Sequence, residues 1–317
     1  MAKIQIFIAT YNRPSFVVNC IKSVLAQSFT NFELTVSDNS TDNKTTEVVS
    51  NFKDDRLTYI KREPTLSGND HLNTILNEIT GDYFMIFHDD DLMHYNMLEV
   101  LYNTLVKNEH AIAVGSNAFF TINGKKTKDV IFKNSKNNLI LKNNLEIVKQ
   151  YLIRHGIVPF PSYLYKKDVS QKFRLDERNG ANFCDMAFIM EIATLGHVIF
   201  LSEPLMDYYI HTENDHVPDF FSNNMKIINF IRKTTDMNKN NNLIKKFRIK
   251  SIYMELKQGI LCGRISLFSK RYLTLLFIIF RSSFSDYFPR ILIITILCFF
   301  NISTSKMKVT SNVPLNI

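Results

Sequence analysis

The first 120 residues are built from short apolar runs separated by amphipathic stretches. Residues 4–9, 32–37, 57–61, 83–87 and 111–120 are runs of strand length. Between them, residues 15–26 place Phe16, Val17, Cys20, Ile21, Val24 and Leu25 at helical spacing, and Pro14 suits the first turn of that helix. Residues 70–79, stopped by Gly81, and residues 94–106 read as two more helices. Apolar strands alternating with helices predict an α/β fold whose mainly parallel sheet is covered on both faces. In such sheets ligands collect at the carboxyl ends of the strands. The polar clusters lie there: Thr10-Tyr11-Asn12-Arg13 after the first strand, Asp38-Asn39-Ser40-Thr41-Asp42 after the second, and Asp89-Asp90-Asp91 after the fourth.

Beyond residue 120 the pattern changes. Residues 121–150 are polar and Asn/Lys-rich and read as a surface excursion. Residues 151–225 are mixed, and 226–317 are basic with a helical pattern. The division expected is 1–225 as one domain in two halves, 1–120 and 121–225, and 226–317 as a basic helical, membrane-associating region. The 317 residues suffice for one large domain with an appendage. Charge follows the same division. From residue 226 onward 16 Lys or Arg face three acids, whereas residues 1–225 hold 22 basic against 27 acidic groups. A one-sided basic tail points to an anionic surface. Within it, residues 273–280 and 291–300 are apolar runs too short to span a bilayer, which takes about 20 residues, and their borders are basic. Helices lying in a membrane interface are expected, against the alternative of ordinary helices covering the sheet domain. Nucleic acid is excluded as a partner, because the chain has no base-reading motif. The four cysteines are scattered without a CxxC, which argues against a zinc site or a disulfide framework and for a reducing compartment. Lys3 is the only basic residue before the first apolar run, so no secretion signal is expected.

Three adjacent carboxylates at the end of an apolar strand repel one another. A single Asp there is most simply a helix cap, and Asp91 could cap the helix that follows. Three are better explained by a cation, and hard oxygen ligands suit Mg²⁺ or Mn²⁺ holding a nucleotide diphosphate. The stretches Phe7–Arg13, Val36–Asp42 and Gly81–Asp91, in this order and spacing, resemble glycosyltransferase family 2, over roughly residues 3–215. That resemblance implies a GT-A fold. It implies that Thr10, Tyr11, Asn12, Arg13, Asp38 and Asn39 line the nucleoside pocket, with Asp89 as a ribose contact. It also implies a metal at the triplet. Alignment without gaps from the following helix makes Asp90 the ligand, while a literal DxD reading gives Asp89 and Asp91. His88 stands where relatives often carry an acid, and Leu72-Asn73 where they often carry Arg-Asn.

Sugar transfer with inversion needs one base to take the proton of an acceptor hydroxyl. Residues 182–190 put Asp185 at the mouth of an apolar helix, where a capping role competes with a catalytic one. Relatives open a helix here with Glu-Asp, followed by a Gly, a short strand and a Pro; Gly196, residues 197–201 and Pro204 keep that order, and Cys184 replaces the Glu. The resemblance makes Asp185 the base and His211 a further metal or diphosphate ligand, with His216 and His88 behind it. It implies a UDP-sugar or another nucleotide-activated donor, a saccharide acceptor that is expected to be lipid-linked, and a place in bacterial surface-polysaccharide (O-antigen or capsule) assembly. The enzyme is then expected in the cytoplasm, attached peripherally to the inner face of the plasma membrane. Processive members carry a Gln-x-x-Arg-Trp motif; this chain has no Trp, so addition of a single sugar is expected. The rivals are a sugar-nucleotide nucleotidyltransferase, disfavoured because no Gly-rich basic loop follows the first strand, and an inactive sugar-nucleotide-binding protein.

Overall fold

In the computed structural model, which describes residues 3–132, 137–154, 156–210, 220–261, 265, 267, 269–282 and 287–299, the five apolar runs become strands of one ten-stranded sheet. They are β1 (Ile4–Thr10), β2 (Phe32–Asp38), β3 (Leu57–Lys61), β4 (Tyr83–His88) and β6 (Ala111–Ile122), with the two-residue β5 (Leu92–Met93) before the last. The helices between them are α1 (Pro14–Leu25), α2 (Lys44–Val49), α3 (Gly68–Asn77) and α4 (Met97–Lys107). Pro14 opens α1, and the Ser67 side chain caps α3 by accepting from the Asp70 amide. Strand β4 buries Phe84, Met85, Ile86 and Phe87 completely. Successive strand residues point to opposite faces, so the sheet is covered on both sides.

The strand order is β3-β2-β1-β4-β9-β6-β10-β5, where β9 is Leu164–Lys166 and β10 is His197–Ile210. The first four strands are parallel, and β6 is parallel to β10. The chain moves from β1 outward to β2 and β3, then returns to place β4 on the other side of β1. That reversal opens a crevice at the carboxyl ends of β1 and β4, where Ala9 lies opposite His88.

Two sequence expectations change here. The polar stretch after residue 120 joins the sheet through β7 (Lys125–Val130), which pairs with β6, and β8 (Leu139–Leu141), which pairs with β10. Strand β7 is nearly all exposed, so it has no buried face to impose an apolar alternation, and its lysines suit an unprotected edge. Strand β10 runs on well past residue 201, because register shifts around Pro204 let it continue beside β6. Its far end pairs with β5, which delays the start of α4 to Met97.

The remaining helices are α5 (Asn144–Arg154), α6 (Asp168–Lys172), α7 (Cys184–Ile192), α8 (Phe220–Thr234), α9 (Asn242–Leu261), α10 (Lys270–Phe280) and α11 (Tyr287–Phe299). The basic tail divides in two. Ile227, Ile231, Ile244 and Phe247 of α8 and α9 belong to the main core. Further along, Ile252, Leu256 and Ile260 of α9 form a second cluster with Tyr272, Leu275 and Ile279 of α10 and Ile291 and Ile294 of α11.

Candidate active site

The loops after β1 and β2 are laced together. Asn12 adopts a left-handed backbone (φ 53°), a conformation that Asn tolerates better than most residues. Its amide donates to Ser40 Oγ at 2.7 Å, and its Oδ1 accepts from the Thr41 amide at 2.9 Å and the Thr41 hydroxyl at 3.2 Å. Asp38 is fully buried at the end of β2. Its Oδ1 accepts from the Ser40 amide at 2.9 Å, and its Oδ2 accepts from Tyr59 OH at 2.7 Å and Lys61 Nζ at 3.2 Å. Asn39 clamps the backbone of Leu66 through both its amide oxygen and its amide nitrogen. Tyr11 is 44% exposed, so its ring stands at the rim of the crevice.

The triplet lies next to these loops. Thr10 Oγ1 donates to Asp89 Oδ2 at 2.7 Å, and Arg13 reaches Asp89 Oδ1 at 3.2 Å and Asp90 Oδ2 at 3.3 Å. Asp91 does not cap α4. Its Oδ1 accepts from the Tyr209 amide of β10 at 3.0 Å, while its buried Oδ2 has no hydrogen-bond partner among the described residues. Burial and the charge of Asp90 push the Asp89 carboxyl up to about 6 and hold Asp91 well above the usual range. Burial also lowers the pKa of His88 and keeps it neutral, with a lone pair to offer. One ligand atom each from His88, Asp90 and Asp91 lies within 4.8 Å of the others. This group fits a divalent cation: clustered carboxylates, an orphaned oxygen and a neutral imidazole are what such an ion satisfies.

His88 also faces the other way, into a cavity of about 250 Å³ that it shares with Asp185. Asp185 stands in the first turn of α7, and its Oδ1 accepts from the adjacent Met186 amide at 2.9 Å. Burial pushes its carboxyl up to about 7, against a smaller opposing pull from backbone amides. Near it lie Tyr151, Tyr163 and Tyr165, all buried, whose hydroxyls are pushed up by burial and by the Asp185 charge and therefore stay neutral. Gly115 of β6 makes room for this layer, since a Cβ there would sit 2.7 Å from the Tyr163 ring and from Val158. Cys184, beside the base candidate, donates to Asn69 Oδ1 at 3.3 Å, and burial raises its thiol to about 12, which leaves it inert.

Thr10, Arg13, Asp89, Asp90 and Asp91 thus converge on one spot, Asn12, Asp38 and Asn39 brace the adjoining loops, and Asp185 opens on the neighbouring cavity. His211 and His216 lie outside the described residues. Sequence reasoning missed Tyr59 and Lys61, which hold Asp38, and the bidentate Arg62–Glu78 pair, whose Arg62 Nε also reaches Ser37 Oγ at 2.8 Å. Strand alternation gives Tyr59 and Lys61 a common face, but only pairing with β2 puts that face beside Asp38. Asn73, next to the Leu72 that stands where relatives often carry Arg, clamps the Leu175 backbone through its side-chain amide nitrogen and oxygen.

Known proteins share this architecture. The structure of S. aureus TarS (residues 1–349) in complex with UDP-GlcNAc superposes with a TM-score of 0.63 at 16% identity, covering 98% of this chain and 89% of that one. Among curated sequences, glycosyltransferase GlyA of Streptococcus pneumoniae is 30% identical over 117 residues, which is 36% of this chain and 16% of GlyA. The Escherichia coli UDP-Glc:alpha-D-GlcNAc-diphosphoundecaprenol beta-1,3-glucosyltransferase WfgD is 25% identical over 188 residues, covering 59% of this chain and 74% of WfgD. The match to GlyA thus spans far less than two thirds of that relative. Residues 5–169 match the model of Glycosyl transferase family 2, and the chain belongs to that family.

Proposed function

We propose that this protein is an inverting glycosyltransferase that moves one sugar from a nucleotide-diphosphate donor to a hydroxyl of a lipid-linked saccharide, in bacterial surface-polysaccharide synthesis. The observation that carries the proposal is Asp185. A part-exposed carboxyl with its pKa near 7 opens on a cavity that reaches, through His88, the acidic triplet at the switch point of a mainly parallel sheet. Family membership and the activity for which WfgD is named support the donor and acceptor classes.

Thr10 to Arg13, Asp38 and Asn39 are assigned to the nucleoside side, with Tyr11 free to cover a base. Asp90, Asp91 and His88 would hold a divalent ion, Mn²⁺ or Mg²⁺, with His211 as a further ligand. When bound, the ion supplies charge neutralisation for a departing diphosphate. Arg13, paired with Asp89 and Asp90, adds a fixed positive charge at the same end. Asp185 accepts the proton of the acceptor hydroxyl as that oxygen bonds to the anomeric carbon. The bond from that carbon to the diphosphate breaks, and the nucleoside diphosphate carries off the electron pair. A pKa near 7 lets Asp185 be ionised at neutral pH yet basic enough to accept a proton. The test is a screen of UDP-, GDP-, dTDP- and CDP-sugars with Mn²⁺, read by thermal shift. A ligand at 100 times its Kd adds about 2.7 kcal/mol. The absence of a shift with every nucleotide sugar would remove the donor assignment.

The proposed place of action is an anionic membrane surface on the cytosolic side. No helix among the described residues is long and apolar enough to cross a membrane. Helices α10 and α11 bury one face on α9 and expose Leu273, Phe277, Phe280, Ile293 and Ile296, each at least 50% exposed. Lys270, Arg281 and Arg290 flank these residues in sequence, and Arg271 pairs with Glu255 of α9. Apolar side chains edged by cations are what an interfacial helix pair presents to lipid. Phe277→Ser is expected to weaken sedimentation with phosphatidylglycerol vesicles about fivefold, roughly 1 kcal/mol of lost burial. Sedimentation equal to the native protein would count against this face.

A further inference from the structure

We infer that the cavity beside Asp185 is a subsite for one pyranose ring, and that Asn224 and Ser251, from helices beyond the family-matched segment, read its hydroxyls. The inference rests on the glycosyl-transfer reading of Asp185. The family match ends at residue 169, whereas the cavity is also lined by Asn224 of α8 with Ser251 and Met254 of α9.

Three observations point to a sugar. The first is size. About 250 Å³ lies below the roughly 300–1,000 Å³ of pockets for drug-sized ligands, which suits one ring and excludes a chain of them. The second is the wall, where Phe160, Tyr208 and Met254 offer apolar surface to the C–H faces of a ring. The third is the polar complement. Tyr151 OH donates to Asn224 Oδ1 at 3.3 Å, which occupies the acceptor end of that amide and leaves it a donor for a guest. Ser251 donates its proton to the Phe247 carbonyl at 2.8 Å, which leaves its oxygen an acceptor. Asn224 and Ser251 are 6% and 1% exposed, so neither serves bulk solvent. A donor and an acceptor in the same lining as His88 and Asp185 match a molecule whose every hydroxyl both donates and accepts. Such a ring could belong to the donor or to the acceptor, and the two make different predictions.

Asn224→Ala and Ser251→Ala in the full chain separate them. Calorimetry would compare UDP with UDP-glucose and UDP-GlcNAc, and steady-state kinetics would vary a synthetic polyprenyl-diphosphate-linked GlcNAc. The expected result is UDP affinity within twofold of the native protein and a loss of about three- to tenfold elsewhere, the size of one neutral hydrogen bond. If the loss falls on UDP-sugar affinity, the ring is the donor's; if it falls on acceptor KM with donor affinity intact, it is the acceptor's. Ser251→Ala removes a single atom and serves as the folded variant should Asn224→Ala misfold. Variants that fold and keep native constants for both substrates would overturn the subsite while leaving the transfer reading in place. A native protein that binds no nucleotide sugar and transfers nothing would overturn the transfer reading, and this inference with it.

Discussion

The two carboxylates at the centre of the molecule are treated in opposite ways. Asp38 is wholly buried, and both of its oxygens are satisfied by a backbone amide, a tyrosine hydroxyl and a lysine. Asp185 accepts from backbone amides, opens on a cavity and lies near tyrosines kept neutral by burial. Buried charge that is fully hydrogen-bonded braces structure, whereas a largely desolvated charge left short of partners is driven toward its neutral form. The first arrangement keeps loops in place for a ligand. The second prepares a group to exchange a proton. The triplet combines both, with Asp89 tied to Thr10 and Arg13 and Asp91 left with an orphaned oxygen.

Four outcomes would break or sharpen this contrast. The largest is kinetic: Asp185→Asn should lower transfer about a hundred- to ten-thousandfold, the range of general-base catalysis, with nucleotide-sugar affinity retained. Unchanged transfer in a product assay would remove Asp185 from the role of base. Next is Asp38→Ala, which strands Lys61 and Tyr59 and should cost about 3 kcal/mol in urea unfolding, together with nucleotide affinity. A stable Asp38→Ala protein would mean that the bracing role is misread.

The third outcome depends on pH. The folded pKa of Asp185, near 7, lies above its unfolded value, so the native protein loses stability from this group as pH rises from about 4 through 7. Asp185→Asn escapes that loss. It should be about 1–4 kcal/mol more stable than the native protein at pH 8 and nearly equal to it at pH 4. A gain that persisted at pH 4 would have some other origin. In the same way, native transfer should rise with pH through about 7 and level off above it. The smallest effect is that of Tyr59→Phe, which removes one of the three donors to Asp38 together with the contact to Thr46 and should cost about 1–2 kcal/mol. Chemical denaturation would show it, and a neutral result would mean that Lys61 and Ser40 suffice.

Much of the corner proposed to hold the nucleotide was legible in the chain because it is local. Strand β1 and its loop, β2 and its loop, and β4 with its triplet are each one apolar run followed at once by their polar residues. A parallel sheet brings such loops to the same edge. The hydrogen bonds within the corner were less visible. No periodicity distinguishes Asp89, bound by Thr10 and Arg13, from Asp91, bound by the Tyr209 amide 118 residues away. The candidate base was readable only by resemblance, since on local grounds an Asp in the first turn of a helix is an ordinary cap.

By itself, then, the sequence determined the alternation of strands and helices, the clustering of acids at strand ends and the basic, two-faced character of the tail, because these follow from short-range pattern. Only the tertiary structure decided which oxygens are satisfied, how β7 and the second half of β10 enter the sheet, and that α8 and α9 wall the cavity beside Asp185. The physical reason is range. Apolar periodicity fixes which face of an element is buried, but a polar group's partners and a cavity's walls come from whichever distant segments the packed core leaves beside it.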